Sequence, residues 1–305
     1  AGGVALNCVA NGSLAKEKIF DNIWIQPASG DAGGALGAAM LSLNNSSKIS
    51  WDMSTSAVHE DHMKGSFLGE GFSEVQVESE LLANNAIFHH MTDKKLLQSV
   101  VSNLVDGKVI GWFKGRAEFG PRALGNRSII ADPRSEKMQS KLNLKIKFRE
   151  SFRPFAPIVI EDEADHWFDV PSKNPYMLMV GSIKNNLRKP LKKARNFREK
   201  INASRSTLPA ITHVDYSARV QAISKTFNPL FYDLLTDFKK ETGVPVLVNT
   251  SFNVRGEPIV NSPLEAYKCF MGTGMDVLVV ENYLLFKSEQ NQENLKEYHN
   301  YFDMD

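Results

Sequence analysis

The hydrophobic positions of this chain change rhythm twice. From about Thr92 onward they become regular: Leu96, Leu97, Val100, Val101, Leu104 and Val105 recur at three- and four-residue spacing, which lays one apolar stripe along a helix, and Asp106-Gly107 ends the run. Val109 to Phe113 predicts a short buried strand directly after it. Further on, Asn228 supplies an N-cap and Pro229 a first-turn residue for a helix whose face is Leu230, Phe231, Leu234, Leu235 and Phe238, and Gly243 stops it. Val244 to Val248 follows as a strand. Ser262-Pro263 with Glu265 has the spacing of a capping box opening a helix through Met271, and Asp276 to Phe286 reads mostly as strand. Strands alternating with helices make this region α/β or α+β.

The first 41 residues have another texture. Gly2-Gly3 and the run Gly30-Asp31-Ala32-Gly33-Gly34-Ala35-Leu36-Gly37-Ala38-Ala39 let backbone approach a ligand or a neighbouring helix closely. Between this stretch and Thr92, Asn, Ser and Lys prevail and Gly65, Gly69 and Gly71 break the short apolar runs. Residues 42–91 are therefore expected to be a linker region with modest structure of its own.

Composition narrows the class. A chain of 305 residues with 42% hydrophobic content, 36 basic and 35 acidic side chains suits a globular protein of two domains. It contains no long uncharged apolar run, so no membrane partner is expected. Cys8 and Cys269 fit neither a metal-ligand spacing nor a disulfide framework, which points to a reducing, cytoplasmic setting. The start at Ala1-Gly2 has no signal-peptide pattern and no Met, so a fragment or a processed product is expected. A net charge of +1 gives no general argument for nucleic acid; the placement of the basic residues carries the information.

Three segments combine cations with small polar residues. Gly115 to Arg127, followed by Asp132-Pro133-Arg134, sets Arg116, Arg122 and Arg127 among glycines after a strand, an arrangement suited to phosphate and equally to a turn-rich loop with surface arginines. In Lys145-Ile146-Lys147-Phe148-Arg149, basic and apolar residues alternate, so a strand here would have one cationic face; a solvent-facing edge strand uses the same pattern. Arg153 follows closely. In Asn249-Thr250-Ser251-Phe252-Asn253-Val254-Arg255, at the end of a predicted strand, Ser251 and Asn253 would point to one side with Arg255 just beyond. His213-Val214-Asp215 with Arg219 is a weaker cluster in which Asp could orient His for acid-base work. The adjacent His89-His90 pair has no partner motif. Between Lys184 and Arg205 lies a basic stretch with Arg188, Lys189, Lys192, Lys193, Arg195, Arg198 and Lys200, either a solvated surface loop or a lid over an anionic substrate.

Gly111-Trp112-Phe113 through Asp132-Pro133-Arg134, Lys147 through Pro157, His213-Val214-Asp215 and Asn249 through Ile259, in this order, resemble the C-terminal domain of the O-carbamoyltransferases that modify antibiotics and nodulation factors. That domain is similar to the YrdC fold, whose Lys-x-Arg and Ser-x-Asn signature corresponds to Lys147-Phe148-Arg149 and Ser251-Phe252-Asn253. The resemblance implies an α/β domain over residues 92–305 with a central mixed twisted sheet, in which ATP, accompanied by Mg2+, and carbamoyl phosphate form carbamoyl adenylate and pyrophosphate. It implies catalytic roles for Lys147, Arg149 and Ser251, and binding roles for Arg116, Arg122, Arg127, Lys145, Arg153, His213, Arg219, Asn253 and Arg255. Residues 1–41 look like the end of an actin-like (ASKHA) domain, with Gly2, Gly3 and Asn7 in its nucleotide loop and Asp31 at the position of an iron (Fe2+) ligand whose partner histidines would lie before Ala1.

Two departures from the family stand out: Lys114 occupies a position where Gln is common, and Tyr216-Ser217 one where Gly-Thr is common. The expected partner is a small-molecule hydroxyl acceptor, nucleic acid is not expected, and a homodimer is left open. The alternative is an enzyme resembling threonylcarbamoyl adenylate synthase, acting in tRNA modification, for which the basic stretch could meet RNA phosphates.

Overall fold

The structure, a computed structural model, describes residues 2–47, 61, 63–170, 174–190, 196–291 and 302. Its helices are α1 (Gly2–Ala5), α2 (Cys8–Glu17), α3 (Asp31–Ser47), α4 (Glu74–Ala83), α5 (Asp93–Val105), α6 (Met138–Lys145), α7 (Ala164–Trp167), α8 (Phe197–Asn202), α9 (Pro229–Thr242) and α10 (Pro263–Met271). Its strands are β1 (His89–His90), β2 (Ile110–Phe113), β3 (Arg127–Ala131), β4 (Ala156–Ile160), β5 (Phe168–Asp169), β6 (Val180–Ile183), β7 (Ser217–Arg219), β8 (Gln221–Ile223), β9 (Val246–Ser251), β10 (Val277–Val280) and β11 (Tyr283–Phe286).

Eight of these strands form one sheet in the order β1-β11-β10-β2-β3-β9-β4-β8. The β10–β2 and β4–β8 pairs are parallel and the remaining neighbours antiparallel, so the sheet is mixed and the fold is α/β. A second sheet, β5-β6-β7, is antiparallel.

Alternation along the strands sorts side chains to two apolar layers. Leu247 of β9 joins the layer that contains Leu96, Val100 and Leu104 of α5 and Phe231, Leu234 and Phe238 of α9. Val246 and Val248 join the opposite layer, with Leu142 of α6 and Phe270 of α10. Full burial of each such side chain is worth about 1.5–3 kcal/mol, which is why the apolar stripes dock where they do. The expected caps hold: Asn228 accepts from the Phe231 amide, Gly243 adopts φ of 75°, and Ser262 and Glu265 form the reciprocal capping box. No described helix is long and apolar enough to cross a membrane.

Two expectations need correction. The Lys145–Arg149 alternation does not make a strand. Met138, Leu142 and Ile146 repeat every four residues and are buried, so the segment enters as α6; Phe148 then takes a left-handed φ of 47° and the chain turns. The stretch expected to be a linker also carries structure where it is described. Ser73 and Gln76 build a capping box that opens α4, and Val77 and Leu81 are fully buried in the same layer as Phe113 and Ile129. Residues 48–60 of that stretch lie outside the described residues.

Candidate active site

β9 lies between β3 and β4, with Asn249 opposite Ile130 on one side and Ala156 on the other. Its C-terminal end therefore meets the loop that leads into β4, and Ser251, Asn253, Lys147, Arg149 and Arg153 converge there. The Lys147 ammonium is enclosed by oxygens: Nζ donates to the Ser251 carbonyl at 2.5 Å, the Asn253 carbonyl at 2.8 Å and Asn253 Oδ1 at 2.7 Å, with Ser251 Oγ at 3.3 Å. Ser251 Oγ itself donates to Asn253 Oδ1 at 2.7 Å. Burial, and next the neighbouring Arg149 charge, push Lys147 down to about 7.

Arg149 is positioned by a residue the sequence reading passed over. Asn143, fully buried on α6, accepts from Arg149 Nε at 2.7 Å and donates to the carbonyls of Ser151 and Arg153 at 3.1 and 2.8 Å. The guanidinium also lies over the Phe155 ring, 4.9 Å from its centre. Burial and the like charge of Arg153 bring Arg149 down to about 10.

Two adjoining cavities open on this junction. One, of about 540 Å³, is lined by Arg122, Arg149, Arg153, His213, Arg219, Asn249, Thr250 and Ser251, among others; the second, of about 640 Å³, is lined by Lys147, Asn253 and Arg255 and shares Arg149, Arg153 and Ser251 with the first. In the first cavity, Arg219 is held down to about 10 by burial and by the facing Arg122. His213 is oriented as its spacing suggested: Nδ1 is 2.9 Å from Asp215 Oδ1, which also accepts from Ser217 Oγ at 2.6 Å. Partial burial pushes the Asp215 carboxyl up, but the Ser217 and His213 contacts outweigh it and bring it down to about 2. Cations drawn together with depressed proton affinity gain from a bound anion, so the arrangement suits substrates rich in phosphate.

The first cavity also has a wall from the opposite end of the chain, which the sequence reading did not foresee. Cys8 and Val9 of α2 line it, and Asn11 Nδ2 donates to the Leu178 carbonyl at 3.0 Å. Gly12 sits so close to β6 that a Cβ there would come within 2.5 Å of the Val180 carbonyl.

Three expected cations lie elsewhere. Arg127 is fully buried; its guanidinium donates to the carbonyls of Lys114, Gly115, Asn126 and Glu70 and covers the Phe113 ring at 3.5 Å. Arg116 is exposed and donates to the Leu68 carbonyl at 2.9 Å. Lys145 ends α6 on the surface. All three are absent from the walls of both cavities, because the local backbone offers the arginines carbonyls and the helix carries Lys145 away. Lys114 binds Asn282 Oδ1 at 2.6 Å, also outside them. Tyr216 takes a left-handed φ of 65° under the Arg188 guanidinium.

Near the N-terminus, Gly2 and Asp31 line a separate hollow with Trp24 and Ser29, whereas Asn7 caps α2 by accepting from the Ala10 amide, and Gly3 is exposed. No cluster of three or more metal-ligand side chains occurs among the described residues, and Asp31 alone does not make an iron site. The His89-His90 pair is spent on Glu289 and Glu74. In the basic stretch, Arg205 is buried and caps α8 through the carbonyls of Ile201 and Ala203, while Lys189 pairs with Glu136 at 3.1 Å. Lys192, Lys193 and Arg195 lie outside the described residues, so the lid expectation rests partly there.

The fold is thus a mixed α/β sheet with two confluent cationic cavities at one strand end. The family model described as Carbamoyltransferase C-terminus matches residues 101–287, and that described as Carbamoyltransferase N-terminus matches residues 1–40. The chain belongs to the carbamoyltransferase family. It is 51% identical over 301 residues to the uncharacterized protein sll1178 of Synechocystis, covering 96% of this chain and 48% of that protein. It is 40% identical over 293 residues to the nodulation protein NolO of Bradyrhizobium diazoefficiens, covering 94% and 48% of the two. The nodulation protein NolNO of Sinorhizobium fredii is 39% identical over 297 residues, with 96% and 40% covered. The chain thus spans about half or less of the length of these relatives. A solved structure of full-length HypF in a phosphate- and nucleotide-bound form matches with a TM-score of 0.40 at 18% identity, covering 64% of this chain and 22% of that one.

Proposed function

We propose that this chain binds ATP, as its Mg2+ complex, and carbamoyl phosphate in the two adjoining cavities, forms carbamoyl adenylate there, and so serves an O-carbamoyltransferase that passes the carbamoyl group to a hydroxyl of a small-molecule acceptor. One observation carries this reading: the cavities share Arg149, Arg153 and Ser251, so two anions bound side by side would meet the same cations. Two phosphorylated reactants repel each other, and fixed guanidinium groups between them remove that barrier to their approach.

The chemistry balances in two steps. Water cleaves carbamoyl phosphate to carbamate and phosphate; a carbamate oxygen then attacks the α-phosphorus of ATP, the bond to the bridging oxygen breaks, and pyrophosphate leaves. Arg149 and Arg153 offset charge at the shared wall, Arg122 and Arg219 hold phosphate oxygens, and Lys147, fixed by Ser251 and Asn253, keeps Ser251 Oγ beside the reacting groups. His213, turned by Asp215, can accept or return a proton at Nε2.

Pyrophosphate release tests the reading directly. ATP with carbamoyl phosphate should release it, and ATP with threonine and bicarbonate should not. Release with the second pair alone would replace this proposal with threonylcarbamoyl adenylate synthesis.

A further inference from the structure

The first cavity is rich in hydrogen-bond donors, and Asn249, one of its lining residues, carries an acceptor that has no donor among the described residues. Asn249 is 1% exposed. Its amide orientation is set by a relay that starts at the backbone: Gln221, fully buried, donates Nε2 to the Leu124 carbonyl at 2.8 Å, which turns its Oε1 toward Asn249. Asn249 Nδ2 then donates to Gln221 Oε1 at 2.8 Å and to the Ala123 carbonyl at 3.2 Å. The reverse orientation would set an oxygen against two oxygens, so Oδ1 is left as an acceptor. That buried Oδ1 has no hydrogen-bond donor among the described residues, an uncommon condition for a buried polar atom.

A carbamoyl group differs from the phosphates around it in one respect: it carries an –NH2 that needs an acceptor. Arg122, Arg149, Arg153 and Arg219 cannot supply one, since a guanidinium only donates. We infer that Asn249 is a specificity residue whose Oδ1 accepts a hydrogen bond from the carbamoyl –NH2, and that Gln221 is the positioning residue that turns it. The inference rests on the function proposed above. It distinguishes a carbamoyl from an acetyl donor, because a site built around a polar contact rejects a ligand that offers a methyl in its place.

The test compares carbamoyl phosphate with acetyl phosphate in the pyrophosphate-release assay, for the parent chain and for Asn249→Leu and Asn249→Ala, each checked by a thermal melt. The parent should prefer carbamoyl phosphate by about a hundredfold or more in kcat/KM, and in a folded variant the preference should narrow to within about tenfold. A parent that uses both donors within about threefold overturns the inference without reference to any variant. A folded Asn249 variant that keeps the parental preference overturns it as well. No release from the parent with carbamoyl phosphate would bring down the function reading and this inference with it, whereas release with an undiminished preference in the variants defeats the inference alone.

Discussion

The segments Gly115–Arg134 and Lys145–Arg153 are both rich in basic residues, yet they dispose of their charge differently. In the first, Arg127 gives its donors to four backbone carbonyls, Arg134 pairs with Asp132, Arg116 reaches the Leu68 carbonyl, and Arg122 lines a cavity. In the second, Lys147, Arg149 and Arg153 all reach a cavity wall. The difference follows from what each backbone offers nearby. A loop that turns back on itself presents carbonyls and consumes guanidinium donors, whereas the turn after α6 presents its oxygens to Asn143, Lys147 is held by oxygens of Ser251 and Asn253, and Arg149 is left facing the cavity.

The largest effect should come from breaking the first segment. Arg127→Leu takes the guanidinium from the Lys114 and Gly115 carbonyls and from the Phe113 ring, while the Asn126 and Glu70 carbonyls keep backbone donors, and should destabilise the fold by about 3 kcal/mol, lowering the melting temperature by roughly 6–12 °C. An unchanged melt would place Arg127 outside the framework. Next is Arg149→Ala, which removes a charge-assisted contact worth about 1.5–3 kcal/mol and should weaken carbamoyl phosphate or ATP binding by roughly 10 to 150-fold with the fold intact. Arg149→Lys should recover only part of the loss, because the fork geometry is gone. Calorimetric titration of each variant reads both.

A smaller effect concerns pH. Lys147 sits at about 7 against 10.5 for an ordinary lysine, so the unfolded chain binds more protons between these values and stability should rise as pH climbs from about 7 to about 10.5. Anion affinity should move the other way above pH 7, by at most about tenfold per unit as the ammonium is lost. Melting and binding profiles of Lys147→Met should lack both slopes. The smallest effect is the most pointed: Arg116→Ala should change stability by less than about 0.5 kcal/mol and ligand affinity by less than about twofold, although its sequence context resembles that of Arg122.

Periodic elements were legible because their signals are local. The α5 stripe, the α9 caps and the Ser262–Glu265 box each lie within a few residues, and the structure realises them. Ser251 and Asn253 were legible as a pair for the same reason, and Lys147 binds both, although the strand expected to carry it is a turn. Asn143, Gln221 and the α2 wall were not legible. Their roles depend on partners far along the chain or on the path of a turn, such as Gln221 to Leu124 or Asn11 to Leu178. α4 was not legible in the expected linker because Gly65, Gly69 and Gly71 break the apolar pattern directly before the Ser73–Gln76 box.

Gly12 of α2 lies so close to β6 that a Cβ there would meet the Val180 carbonyl at 2.5 Å and the Val180 Cγ2 at 2.9 Å. This contact acts as a mechanical stop: the gap between the cavity's two walls is gauged by the seating of Gly12 on Val180. Side chains around the cavity can then drift in size and polarity, retuning which ligand fits, without altering the width of the opening. A single added methyl at Gly12 would act as a wedge, forcing Cys8 and Val9 away from Arg219 and coupling an otherwise distant substitution to the fit of every ligand in the cavity.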